Sequence, residues 1–579
     1  MSCKITRRRV LRGVAAVGAG LLAAGCRAVP TPQVVEVTKV VEKQVTQQVE
    51  KQVTQVVEKV VTATPAPRLV SAPGSLPIVK SKVTLKIMIN FPRDITQNVV
   101  AKWLRDQTNV DTQYIVATGP EAQQKLSLAV ASGDLPDVFQ SFQMSLSDQQ
   151  VLAEQKVLIP LDDLVEEYGF ECKRMFKDQP NLRKGMSLID GKLYGMPAVA
   201  VTYHMSAPHK MWVYKPWLDK LSIKMPATTD EFFEMLKAFK TKDPNGNGKA
   251  DEIPLSGVPS SQGGFYSLEG FLMQSFVFNE RFRTRSLMVE GGVIKASYAE
   301  PGWREGLKYL NKLWAEGLID PQVFSNKREQ LMALGENPGV PILGAAGGNS
   351  YSYFTQAGGT SGRSNEFVAV PPLKGPTGLQ QTPQNPDVGV YPGTWLITKA
   401  CKNAEVAFRF CDFMYSWEAS QNIVFGMQGL DWRPANPGEV GINGGPAKYA
   451  MLRAWASDPN TYMNCPPYYQ TAADRGGVLD DPKNPLEKRL FDATAQLYIP
   501  YGVKDKVVPF LVFTAAQSKD ISQLTTPIEN FVEQAFAEFV TGKRNPDRDW
   551  DAYLKQLKDL GLDKFLKLYQ DAYTAKMKS

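Results

Sequence analysis

Residues 211–256 read MWVYKPWLDKLSIKMPATTDEFFEMLKAFKTKDPNGNGKADEIPLS. Their reading decides the fold. Met211 to Tyr214 form an aromatic, β-prone run, followed by a helix with its start written in. Thr228 and Glu231 have capping-box spacing, so hydroxyl and carboxylate can satisfy orphan amides of the first turn. Phe232, Leu236 and Phe239 then fall on one face. The loop from Asp243 to Glu252 comes next, and a short strand closes the unit.

In that loop Asp243, Asn245 and Asn247 place oxygen side chains at positions 1, 3 and 5, with Gly248 at position 6 for the turn. A hard cation such as calcium needs this alternation, with a backbone carbonyl, here from Lys249, at position 7. An EF-hand closes with Glu at position 12, where this chain has Pro254. Its acids stand earlier, at Asp251 and Glu252. The same residues also read as a polar Asn-Gly turn between helix and strand.

The segment KPWLDKL…MPATTDEF…LKAFKTKDPNGNGKADEIPL resembles the extracellular solute-binding proteins of ABC importers (family 1 type). More narrowly, it is similar to the long LplA-type lipoproteins and alginate-oligosaccharide-binding proteins. QQKLSLAVASGDLPDVF, VLIPLDDLVEEYG, IDGKLYGMPA and FGMQGLDW carry the resemblance along the chain from about Ser81, most weakly over 440–520. It implies a structural Ca2+ held by Asp243, Asn245, Asn247, the Lys249 carbonyl, Asp251 and Glu252.

Length and composition agree with a soluble, multi-lobed protein. A chain of 579 residues exceeds what one core usually holds. Its 43% hydrophobic and 10% aromatic content is ordinary for globular proteins. The net charge of +7 includes Lys4, Arg7, Arg8, Arg9 and Arg12. The remainder carries only about +2, which argues against nucleic acid as partner. The two histidines, His204 and His209, exclude HExxH and His-rich zinc sites. A surface or packing role is expected for both. Cys3, Cys26, Cys172, Cys401, Cys411 and Cys465 are irregularly spaced and give no disulfide framework; Cys411 lies among apolar helix residues as core.

Residues 1–25 read as an export signal. An arginine-rich n-region precedes the apolar run Gly13 to Gly25, which is too short to span a bilayer. The run ends in Leu-Ala-Ala-Gly-Cys, which resembles a lipobox and makes Cys26 the lipidation site. Residues 26–80 read as a lipid-anchored stalk. Glu42, Glu50 and Glu58 recur every eight residues, as do Val45, Val53 and Val61, and the segment lacks the large apolar residues of a core.

From residue 81 the pattern is βαβαβ, an α/β signature with a parallel sheet. The resemblance implies a two-lobe, periplasmic-binding-protein-like fold with an interlobe cleft and a helix-rich C-terminal part. Lobe I is expected at 81–208 and 366–431, and lobe II at 209–365 and 432–579. Crossings are expected near 205–213, 360–367 and 430–434. The implied function is a lipid-anchored, extracytoplasmic, monomeric protein that captures an oligosaccharide and delivers it to the permease subunits of an ABC transporter. A lipid-anchored polysaccharide-degrading enzyme and a surface sensor are the alternatives, and no paired-carboxylate motif marks an enzyme.

Sugars are gripped by aromatic faces and planar polar groups. Trp395, Trp432 and Trp212 are therefore cleft candidates, with Phe91, Phe142 and Tyr351 at element ends and Arg93 and Asn349 as polar partners. Each also reads as packing, since large aromatics are usually core, and the cleft reading is favoured for Trp395 and Trp432 only.

Overall fold

The computed structural model describes residues 69–453, 461–462, 466–482 and 485–578. The strands that organise it are β1 (Val83–Asn90), β2 (Val110–Ala117), β3 (Val138–Gln140), β4 (Met196–Ala200), β5 (Met211–Tyr214), β6 (Ile253–Ser256), β7 (Leu343–Gly347), β8 (Phe367–Val370), β9 (Val390–Ile397) and β10 (Tyr469–Gln470). They form two sheets. The first has the order β10-β4-β9-β3-β1-β2, the second β8-β5-β7-β6.

In the first sheet β2, β1 and β3 run parallel, joined by helical crossovers as the βαβαβ pattern requires. Asn98 caps the helix Val99–Thr108, its side-chain oxygen accepting from the Ala101 amide at 2.9 Å. Gly133, with φ of 77°, closes the helix Gly119–Ser132 in the left-handed conformation glycine allows. β9 enters from the far end of the chain and runs antiparallel to both β3 and β4.

In the second sheet β5 pairs antiparallel with β8 and β7, and β7 runs parallel to β6. Thr228 and Glu231 form both halves of the capping box on the helix Thr229–Thr241. Phe232, Leu236 and Phe239 are buried in the core this helix shares with β5. The C-terminal helices Ala515–Val540, Trp550–Asp559 and Leu562–Lys578 add Phe531, Phe539, Tyr553 and Phe565 to the same core. The architecture is two-lobed α/β with a helix-rich C-terminal part, each lobe around its own apolar core.

The lobe boundaries differ from the sequence reading in three places. Folded structure begins before Ser81: Val70, Ile78 and Val79 are buried in the first core, and Arg409 donates to the carbonyls of Ala72 and Ser75. The rest of the expected stalk, the export signal and Cys26 lie outside the described residues. The strand Phe367–Val370, expected in lobe I, pairs with β5 in lobe II, so this crossing falls between β8 and β9. Trp432, Tyr449, Tyr469 and Val478, expected in lobe II, are buried in the core of lobe I, and β10 is that sheet's edge. Both shifts have one cause. Which sheet a short apolar strand joins is set by pairing partners far away in sequence.

Candidate functional site

A cavity of about 490 Å³ opens between the two lobes beside the first crossing. Lobe I contributes Ala200 from the end of β4, Tyr391 from β9, and Tyr468 and Gln470 around β10. Lobe II contributes Tyr266, Phe282, Arg328, Asn349 and Tyr353. His204, Arg475 and Glu487 line the side where the chain passes between lobes.

The lobe II wall is built on glycines. The rings of Tyr266 and Tyr353 lie face to face, 13° apart in plane. A Cβ on Gly263, whose φ is +133°, would sit 2.9 Å from the Tyr266 ring, and one on Gly348 would lie 3.6 Å from its other edge. At Gly263 the backbone thus leaves room for that ring which a side chain would take, whereas the distance at Gly348 is an ordinary contact. The Arg328 guanidinium lies over Tyr353, 5.0 Å from the ring centroid.

The hinge side is polar. Arg475 Nη2 meets Glu487 Oε2 at 3.0 Å, and His204 Nδ1 lies 4.0 Å from the same oxygen. Burial, reinforced by Lys210 and Arg475 and opposed by Glu487, lowers the His204 pKa to about 4. His204 thus lines the cavity as a neutral ring, whereas the sequence suggested a surface or packing role. His209 is the packing histidine, buried beside Glu280 at 3.7 Å. Lys210 anchors the crossing: its buried Nζ donates to the carbonyls of His204 (2.7 Å) and Ala207 and lies over the Tyr498 ring. Tyr498 Oη in turn accepts from the Met211 amide at 3.2 Å and donates to the Val370 carbonyl at 2.5 Å. One tyrosine so joins the ends of β5 and β8, where two crossings leave lobe II.

Of the residues singled out from sequence, Asn349 lines this cavity, donating to Met205 Sδ at 2.8 Å. The two favoured tryptophans do not. Trp395 is 0% exposed and packs on Phe410; Trp432 is 0% exposed, edge to face with Trp417. Trp212 and Tyr351 are also buried, stacked edge to face behind the wall, and Trp212 Nε1 donates to the Gly348 carbonyl at 2.8 Å. They support the Gly348–Tyr353 segment without reaching the cavity. Phe91 is buried against Tyr462, and Phe142 is half-buried against Phe139. Arg93 is exposed beyond β1, outside the cavity lining. A register irregularity in β9 between Tyr391 and Trp395 separates the part of the strand at the cavity from the part in the core.

A larger hollow, about 570 Å³, lies between the helix Pro180–Met186 and the helix Leu562–Lys578. Arg183, Lys184, Leu188 and Lys576 line it, and among the described residues no aromatic side chain does, so these offer no stacking surface.

The loop Asp243–Glu252 folds around its own oxygens. Asp243 accepts from the amides of Gly246 (2.8 Å), Asn247 (3.1 Å) and Gly248 (3.0 Å). The side-chain amides of Asn245 and Asn247 both donate to Asp251, at 2.8 Å and 2.9 Å. Glu252 Oε1 is buried without a hydrogen-bond partner, and burial, with Asp243 and Asp251 nearby, raises its pKa. Among the described residues no three Asp, Glu, His or Cys side chains converge on a metal position. The expected donor set contains three carboxylates, Asp243, Asp251 and Glu252, and in this structure they do not converge on one position. An orphaned carboxylate oxygen beside like charges fits a cation, provided both asparagine amides turn their oxygens inward.

Among the described residues no helix is long and apolar enough to cross a membrane. The chain is 25% identical over 515 residues to the fructooligosaccharide ABC transporter substrate-binding protein FusA of Streptococcus pneumoniae, covering 86% of this chain and 91% of FusA. The solved structure of FusA with kestose superposes with a TM-score of 0.71 at 23% identity, covering 86% of this chain and all of that one. A FusA EF-hand mutant with fructo-nystose gives 0.70, also at 23% identity and the same coverage. The HMO-binding, ABC-transporter-associated solute-binding protein of Bifidobacterium longum infantis gives 0.71 at 21% identity, with 86% and 99% coverage. The profile described as bacterial extracellular solute-binding protein matches residues 91–421. With that match spanning more than half of its length, the chain belongs to the bacterial extracellular solute-binding proteins.

Proposed function

We propose that this protein is the substrate-binding component of an ABC importer. It captures an oligosaccharide between its lobes and delivers it to the permease, anchored to the extracytoplasmic face of the cell membrane by acyl chains on Cys26. The observation that carries this reading is the interlobe cavity walled by Tyr266, Tyr353, Tyr391 and Tyr468, with Asn349 and Gln470 as planar polar groups. Aromatic faces suit the C–H patches of sugar rings, and amides suit their hydroxyls. The FusA resemblance supports the same reading, because that relative is a fructooligosaccharide-binding protein of an ABC transporter.

The cavity lining supports binding over cleavage. Glycoside hydrolysis in its usual form needs two carboxylates flanking the bond. Among the described lining residues Glu487 is the one carboxylate, and it is engaged by Arg475. Closure of the lobes on ligand is the motion the three crossings permit, with Lys210 and Tyr498 at the pivot.

Calcium is proposed as a structural ion, held by Asp243, Asn245, Asn247, the Lys249 carbonyl, Asp251 and Glu252. The loop lies on lobe II beside Lys220, which donates to the Pro244 carbonyl at 2.9 Å, and none of its residues lines the cavity. Bound there, the ion would neutralise the clustered carboxylates and fix the turn from the helix Thr229–Thr241 into β6.

Thermal shift of the full chain against a panel of oligosaccharides tests the proposal, because a ligand of the native state raises Tm by mass action. A shift that saturates with one sugar class, without release of reducing ends, is expected. No shift with any oligosaccharide would overturn it.

A further inference from the structure

We propose that the cleft selects an acidic oligosaccharide, one that carries a carboxylate, and that Arg328 is the residue that selects it. This rests on the oligosaccharide reading above. Arg328 is exposed in the lobe II wall with its guanidinium over Tyr353, whose ring is itself stacked on Tyr266. Stacking fixes the plane of a guanidinium and leaves its N–H edges free to donate. Among the described residues no carboxylate lies within ion-pair distance of it.

The other charges of the cavity cancel among themselves. Arg475 and Glu487 form an ion pair at 3.0 Å, and the lowered pKa of His204 leaves that ring neutral at neutral pH. Among the described lining residues this leaves one uncompensated positive charge, on a group that lies over the Tyr353 ring. Asn349 and Gln470 can serve sugar hydroxyls without any net charge. A planar guanidinium adds what those amides cannot: a paired, charge-assisted bond to a carboxylate. Closure of the lobes on the ligand would screen that bond, which at an open surface is worth little.

The test uses the full chain on an array of neutral and carboxylate-bearing oligosaccharides, printed in duplicate with one copy amidated to neutralise the acids. The expected result is retention of acidic glycans, loss of that signal on the amidated copies, and a ten- to hundred-fold fall in affinity for them in Arg328→Gln. Arg328→Lys should recover only part of the loss, since an ammonium is a point charge without the planar fork. The Tm of each variant without ligand should match the parent, which separates selection from misfolding. If neutral glycans are retained, equally by the parent and Arg328→Gln, the acidic selection is overturned while the oligosaccharide reading stands. If no glycan is retained at all, the oligosaccharide reading falls and this inference with it.

Discussion

The indole N–H of Trp432 donates to the side-chain oxygen of Asn422 at 3.1 Å, and both residues are fully buried. The same N–H is shared with the Gly426 carbonyl at 3.0 Å. Trp432 thus pins the chain after the helix Trp417–Phe425 to the lobe I core, where Trp417 and Tyr449 meet its ring edge to face. Trp432→Ala should destabilise the fold by about 3–5 kcal/mol, the usual cost of emptying a buried tryptophan site. Urea unfolding measures this. A variant as stable as the parent but weaker for ligand would return Trp432 to the cleft.

What could be read from the sequence was what is local. The capping box at Thr228 and Glu231, the apolar face of Phe232, Leu236 and Phe239, and the βαβαβ start depend on neighbours within a few residues. The cleft aromatics do not. A tryptophan following a strand start looks the same whether it faces core or cavity, and Trp395 and Trp432 both face core. The available signal was glycine: Gly263 stands beside Tyr266, where a Cβ would crowd the ring. Arg328 carried no sequence signal, since it opens the helix Arg328–Gly335 and its partner Tyr353 lies on a different element. The boundary errors at Phe367 and Trp432 arose because strand pairing is non-local.

The calcium loop predicts a chelator effect. A ligand at a hundred times its Kd stabilises the native state by about 2.7 kcal/mol. Removing calcium with EGTA should therefore lower Tm, and Asp243→Ala should abolish the difference. Glu252→Gln should weaken it, because the orphaned Oε1 loses its charge. Identical melting curves with and without EGTA would exclude a calcium site of useful affinity.

The hinge histidine predicts a pH effect with a definite sign. The folded pKa of His204 is lowered to about 4, below the unfolded value. Between these values the unfolded chain binds the extra proton, so stability falls as pH drops through that window. Below the folded pKa no further loss comes from this group. The slope it adds is at most about 1.4 kcal/mol per pH unit. Comparing urea stability of the parent and His204→Asn from pH 7 to pH 4 isolates the term, since Glu487, Arg475 and Lys210 remain in both. Parallel profiles would show that His204 titrates normally in the fold.

Cys26 predicts membrane release. Acyl chains, not charge, would supply the anchoring affinity, so Cys26→Ser should move the protein from the membrane fraction to the soluble one in expressing cells. Retention of the variant on membranes after a high-salt wash would count against a lipid anchor.

The stacked pair Tyr266 and Tyr353 gives the sharpest test of where ligand binds. Both rings are half-buried in the wall of a cavity shared by two lobes. Removing Tyr266 takes away one partner of the stack and the aromatic face nearest Gly263. Truncating an aromatic anchor at a binding surface commonly costs about 2 kcal/mol or more, roughly thirty-fold in Kd. Tyr266→Ala should therefore weaken ligand by about that factor, while Tyr266→Phe, which keeps the stack, should change it far less. The ligand-free Tm should fall only modestly, since neither ring is enclosed on all sides. Trp395→Ala is the matched control: its ring is core, so Tm should drop sharply. Calorimetric titration with an oligosaccharide that shifts Tm reads the affinity, and a ligand-free thermal melt reads the stability. If Tyr266→Ala binds as the parent does, the site lies elsewhere between the lobes.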